Sequence, residues 1–150
     1  MKKLIFYILL LVMFSSAAIS QNLFPKKFEG CNTDHFSLES NIITAKLEKS
    51  DILKVIKDAL GTKTLSKIKG EMMLQIIVDL EGRSCLISID NNTNINLDKL
   101  QLKEAIDNNL VWDKPSKKVA AIVALNFRKD EILIARMGLD GNKGWHRLEE

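Results

Sequence analysis

Four side chains in the sequence can bind a soft metal ion or act as nucleophile and base: Cys31, Cys85, His35 and His146. A Cys2His2 zinc site would need all four to converge from distant segments, and none shows the short paired Cys-x-x-Cys spacing that makes such sites recognisable. Cys31 and His35 form the closest thiol and imidazole pair. No neighbouring group orients the base, and export to an oxidising compartment, argued below, favours oxidation of the thiol over catalysis. Asp79, Glu81 and Asp90 are the carboxylates nearest to an acid and base set, but their places read as a turn and strand ends facing water. Asp140 to Gly144 has the composition of a cation or phosphate loop. It lacks the further oxygen ligands of the first and the Gly-x4-Gly-Lys frame of the second, so it reads as a surface turn. No catalytic residue, metal or cofactor is therefore expected, and the chain reads as a non-enzyme.

The address of the protein changes what its cysteines mean. Met1 to Ser20 has two lysines, an apolar run from Leu4 to Phe14 and then small residues. That is the design of a cleaved signal peptide, with an apolar core far short of the roughly 20 residues a membrane-spanning helix needs. Small side chains at Ala18 and Ser20 set the expected cut after Ser20, with a cut after Ala18 as the alternative. No cysteine directly follows the small-residue stretch, so lipid anchoring is not expected. In the periplasm or outside the cell, Cys31 and Cys85, 54 positions apart, read first as a disulfide. The alternative is two unpaired thiols, one exposed and one packed as a small hydrophobe.

Charge narrows the class of partner. The chain has 22 Lys and Arg against 19 Asp and Glu, a net charge of +3. Removing Lys2 and Lys3 with the leader leaves 20 against 19, or +1. Nucleic acid is not expected as a partner on that balance. The seven lysines between Lys46 and Lys69 read as a solvated helix face, with weak attraction to anionic envelope surfaces as the sharper alternative.

The elements that would position these residues follow from periodicity. Gln21 to Ser50 is an extended lead-in, with Ile43 and Leu47 at helical spacing predicting a helix within Ser37 to Lys49. Ser50 or Asp51 can cap a helix carrying Ile52, Leu53, Ile56 and Leu60, which Gly61 stops. From Gly70 the period becomes alternating, with Met72, Leu74, Ile76, Val78 and Leu80 on one face. Glu81 and Gly82 turn the chain into a return strand with Cys85, Ile87 and Ile89 on one side. A helix from about Leu97 to Asn109 carries Leu102, Ala105 and Ile106 towards the sheet. Lys118 to Phe127 is apolar on both faces, which predicts a strand flanked or covered on both sides. Ile132 to Met137 can return as a fourth strand, and Gly138 to Glu150 reads as a turn-rich tail. The fold class is α+β: a small antiparallel sheet of a hairpin, a third strand after a crossover helix and a possible fourth strand, with helices on one face and the first hairpin strand central. The domain is bounded at 51–137, with its core at 70–127.

Within that core lies a likeness. Gly70 precedes an alternating strand, Asp79, Glu81 and Gly82 form an acidic-x-acidic-Gly turn, Trp112 and Pro115 end the crossover helix, and the next strand finishes on Phe127. In this order and spacing, over 58 of the 150 residues, the chain resembles the C-terminal domain of TonB, the periplasmic end of an energy transducer. The chain has two prolines, so no Pro-rich spacer long enough to cross the periplasm is present. The resemblance therefore implies a free-standing relative, of the kind found in Bacteroidetes, and not a transducer. It implies a module that binds an extended peptide or protein edge of an envelope or outer-membrane partner by strand addition. In the TonB domain the strand matching Lys118 to Phe127 is the edge that accepts the peptide. Here the following segment is expected to cover it and move the accepting edge to Ile132, Ile134 and Arg136, with Arg136 guarding against indiscriminate pairing. Trp112 reads as a plug over the sheet end, with a partner anchor as the alternative. A small secreted enzyme, an inhibitor or a structural accessory of an envelope complex are the other classes compatible with export and size.

Overall fold

A computed structural model describes residues 22–129 and 131–149; the expected leader, Met1 to Ser20, lies outside the described residues. In chain order the elements are β1 (Lys26–Lys27), β2 (Ser37–Leu38), α1 (Lys49–Leu65), β3 (Gly70–Val78), β4 (Ser84–Thr93), a 3-10 turn at Leu97–Lys99, α2 (Leu102–Asn109), β5 (Val119–Phe127), β6 (Ile132–Asp140) and β7 (Gly144–Arg147). The fold is α+β. One sheet runs β1-β4-β3-β5-β6-β7, antiparallel between neighbours, with β2 lying parallel to β5 off this path. The first hairpin strand, β3, is central between β4 and β5 as expected.

Two apolar layers hold the sheet. On one face Ile52, Ile56 and Leu60 of α1 and Leu102 and Ile106 of α2 pack on Met72, Leu74, Ile76 and Val78 of β3 and Val119, Ala121, Val123 and Leu125 of β5. Each such side chain taken fully from water contributes roughly 1.5–3 kcal/mol. The alternate residues Ile77, Ala120 and Ile122 are buried as well. The N-terminal arm crosses this face: the Leu23 amide donates to Gln75 Oε1 at 2.8 Å, the Phe24 amide donates to Ser88 Oγ at 3.4 Å, and Ser88 Oγ donates to Gln75 Oε1 at 2.6 Å. Phe24 is buried and stacks on Trp145, ring centres 6.0 Å apart. The buried polar pair Gln75 and Ser88 is thus satisfied within itself and by the arm that crosses it.

Several expected boundaries move, each for a tertiary reason. Ser37 to Lys49 does not form a helix. Ser37 and Leu38 fill the gap where β6 leaves β5, the Glu39 amide donates to Ala120 O, and the Glu39 carbonyl accepts from the Leu139 amide. Gly138 makes room for this segment, since a Cβ there would lie 2.0 Å from the Ser40 carbonyl oxygen. The helix cap is Glu48, not Ser50 or Asp51, and the expected stop at Gly61 is a kink, with φ of 68° and one further helical turn beyond it. A bulge between the partners of Gln75 and Ile76 adds Ile87 to β4, so Leu86 and Ile89, not Cys85, Ile87 and Ile89, join the helical core. The single helix expected over Leu97 to Asn109 is divided into the 3-10 turn and α2. The expected tail continues β6 to Asp140 and returns as β7.

The strand β5 has β3 along one side. Its other side is filled by β6 over Ile122–Phe127 and by β2 at Val119 and Ala120. The fourth strand therefore covers the edge, as expected. Arg136 does not guard the edge: its side chain is buried against Trp112 and the segment that carries Glu39 and Ala45, and its carbonyl accepts from the Leu148 amide. Among the described residues the outer edge of β6 has no strand partner over Ile132 to Ala135.

Candidate functional site

The residues of the acidic-x-acidic-Gly turn build the end of the sheet. Asp79 Oδ1 accepts from the amides of Glu81 and Arg83, both at 2.9 Å, and Arg83 Nε donates to Asp79 Oδ2 at 2.8 Å. Burial pushes the Asp79 carboxyl up, but the Arg83 amide, the Arg83 guanidinium and the Glu81 amide outweigh it and hold the group below its ordinary value. Gly82 has φ of 79°, and a Cβ there would lie 2.2 Å from the Trp112 carbonyl oxygen. Glycine is required by both the turn and the contact. The Trp112 amide donates to Gly82 O at 2.8 Å, and Trp112 Nε1 donates to Ser84 Oγ at 2.7 Å. Gly70, at φ of 108°, meets the Asn92 carbonyl in the same way, and it pairs with Phe127 across β5. Pro115 is buried. Trp112 is buried too, so its indole is the plug of the sheet end.

Trp112 also roofs an ion pair. The Arg136 guanidinium carbon lies 4.9 Å from the centre of the indole ring, Arg136 Nη1 donates to Ala45 O at 2.8 Å, and Nη2 donates to Glu39 Oε2. Glu39 Oε1 accepts from the amides of Thr44 and Ala45 at 2.7 and 2.9 Å. Both charged side chains are buried. Their hydrogen bonds fold the 39–48 segment against the sheet, and the Asp113 amide donates to Lys46 O at 3.0 Å.

This folded segment forms one wall of a groove. Ile42, Ile43 and Leu47 face Val111 and Trp112 across about 730 Å³. Ile42 and Val111 on its rim are 68% and 64% exposed, the two most exposed large apolar side chains among the described residues. A second groove of about 900 Å³ between α1 and α2 meets the first at Asp51 and Val111, with Val55, Ala59, Ala105 and Leu110 in its lining. The two share an acidic border: Glu48, Asp51, Asp58, Glu104, Asp113 and Glu149 against exposed Lys46 and Lys54. A chain of positive net charge thus carries a negative surface around apolar centres. Such a surface suits an amphipathic cationic segment.

The other candidate residues lie apart. Cys31 and Cys85 form a disulfide, with Cα atoms 5.7 Å apart. The carboxylate that approaches them is Asp107, not a histidine. His35 is exposed, and His146 Nδ1 lies 3.0 Å from Gly144 O at the last hairpin. Asp79 and Glu81 sit at one hairpin turn, while Asp90 pairs with Met73 well along β4. Asp140 is occupied by its own turn, accepting from the Asn142 and Lys143 amides and from Asn41 Nδ2. The Asn142 amide, Asn41 and the Lys143 amide hold its carboxyl below the ordinary value. Sequence reading missed Glu39, Lys103 and Asp107. The last two stand four apart on α2, a legible pairing distance; nothing local marks Glu39.

No family model, curated protein or solved structure matches this chain.

Proposed function

We propose that the protein is a non-enzymatic interaction module of the cell envelope, exported to the periplasm or secreted, and that it holds a cationic, partly apolar segment of an envelope or outer-membrane protein. The observation that carries this is the groove with exposed Ile42 and Val111 on its rim and acidic side chains along its border. The TonB-like order of Gly70, Asp79, Gly82, Trp112, Pro115 and Phe127 supports a binding role over catalysis, and the disulfide supports an oxidising compartment. No helix of the described residues is long and apolar enough to cross a membrane. Energy transduction is not part of the proposal.

The filled side of β5 argues for recognition through side chains in the groove rather than by strand addition at that strand. The sheet also ends on short strands, β1 with Lys26 and Lys27 and β7 with Arg147, which are devices against edge pairing. A second reading keeps strand addition and places it on the outer edge of β6 from Ile132 to Ile134, where Leu133 is exposed. Site-specific photocrosslinking in living cells separates the two. Crosslinkers at Ile42 and Val111 should capture one protein, and Val111→Asp should abolish its capture from Ile42. Capture at Leu133 alone would favour strand addition. No captured protein from any of the three positions would sink the interaction module itself.

A further inference from the structure

The Cys31–Cys85 bridge has a charged neighbour that a purely structural crosslink does not need. Lys103 Nζ lies 3.5 Å from Cys31 Sγ and 3.7 Å from Cys85 Sγ. It is fixed there by Asp107 Oδ2 at 2.6 Å and by the Leu86 carbonyl at 3.2 Å. Asp107 also accepts from the Leu86 amide at 2.7 Å and so is itself held against β4. Both cysteines are partly exposed, and the side chains of Lys103 and Asp107 are 27% and 22% exposed, so a reagent can reach the bridge. An ammonium held against a disulfide stabilises the thiolate that leaves when the bridge is attacked, and a better leaving thiolate speeds exchange.

We propose that Cys31–Cys85 is a thiol–disulfide exchange site, with Lys103 as the group that activates it and a dithiol as its co-substrate class. A thiolate of the dithiol attacks Cys85 Sγ. A bond forms between the two sulfurs, the Cys31–Cys85 bond breaks, and its electron pair departs on Cys31 Sγ beside Lys103. Each sulfur has one oxygen beside it, the neutral Leu86 carbonyl at 3.5 Å from Cys31 and the Asp107 carboxylate at 3.7 Å from Cys85, and Cys31 is assigned as the sulfur that leaves because the carboxylate opposes a thiolate on Cys85. The second thiol of the dithiol gives its proton to solvent and attacks its own partner sulfur in the mixed disulfide. Cys85 is released and takes up a proton. The dithiol ends as a disulfide, the bridge has gained two electrons, and the reverse sequence reoxidises it. Opening it leaves the arm tied to β4 by the two-residue strand β1 and by the Phe28 amide on Ile87 O. This site stands independently of the groove and of what binds there.

The test uses the oxidised full chain and dithiothreitol at neutral pH, with quenched alkylation and mass spectrometry to follow opening. Lys103→Gln should slow reduction by roughly three- to tenfold, and Lys103→Arg should stay near the wild-type rate. In the reduced wild-type protein, alkylation of Cys31 should be half-maximal below the value of about 8.5 of a free thiol. Lys103→Gln should move that midpoint upward. Trapping with glutathione should place the adduct on Cys85. An unchanged rate in Lys103→Gln, or a wild-type Cys31 that titrates as an ordinary thiol, overturns the proposal. The second measurement needs no variant, so it decides the matter even if Lys103→Gln folds poorly. An adduct confined to Cys31 overturns the assignment of the leaving sulfur.

Discussion

Arg136 and Glu39 show how much one pair of residues can organise. The pair is enclosed, and its hydrogen bonds reach the 39–45 segment and the carbonyl of Ala45. Removing one partner leaves a charge in a site with little water, which costs about 3–5 kcal/mol, whereas removing both is much cheaper. Arg136→Met is therefore expected to lower stability in urea by about 3 kcal/mol, and Glu39→Met with Arg136→Met should recover part of that loss. Strictly additive losses would show that the pair does not act as a unit. Asp79 gives a second residue-scale expectation. A carboxyl held below its ordinary value of 3.8 stabilises the fold above that value, and this contribution disappears as the pH falls through the lower folded value. Denaturation followed from about pH 5 to about pH 3 should show a steeper loss for wild type than for Asp79→Asn. Equal slopes would mean that the turn hydrogen bonds carry no net charge dependence.

Among the elements, β5 decides what the sheet can accept. Both of its long sides are hydrogen-bonded within the chain, one of its faces packs in the helical core, and Ala120 and Ile122 on the other face are buried as well. Hydrogen exchange is expected to protect the amides of Val119 to Phe127 strongly and alternate amides of Ile132 to Asp140. Within Ile132 to Ala135, amides aimed at the open side of β6 should exchange fast. Rapid exchange throughout β6 would show that it leaves β5 in solution and would reopen the side that the TonB resemblance marks as accepting. The segment 37–48 matters equally at this scale. Its strand and its loop around Glu39 build the groove wall, so the same residues that complete the sheet present Ile42.

At the scale of the whole molecule, the described residues form one sheet held together by chain segments distant in sequence. The disulfide links the arm to β4 across a separation of 54 residues. In the chain-entropy model such a crosslink stabilises by roughly 4 kcal/mol, with engineered cases often giving less. Cys31→Ser with Cys85→Ser is expected to lower the melting temperature by roughly ten degrees or more, read by circular dichroism. An unchanged melting temperature would mean that arm and sheet are held by noncovalent contacts alone, through Phe24, the hydrogen bonds to Gln75 and Ser88 and the β1 pairing with β4.

Local pattern was enough for the alternation of β3 and β5, the Asp79 to Gly82 turn and the fourth strand after a short charged turn. In each of these the deciding contacts lie within a few residues, or the period itself declares a buried face. The pairing of Cys31 with Cys85 was legible from compartment and count, because two cysteines allow one bridge. Tertiary structure decided the rest. A two-residue strand such as Ser37–Leu38 has no period to read, and its hydrogen bonds go to a strand some eighty positions away. Arg136 reads as a surface charge until Glu39, 97 positions earlier, and the Trp112 ring enclose it. The groove and the ammonium beside the disulfide arise in the same way, from segments that touch only once the sheet has formed, and burial of a charge depends on partners that no local window contains.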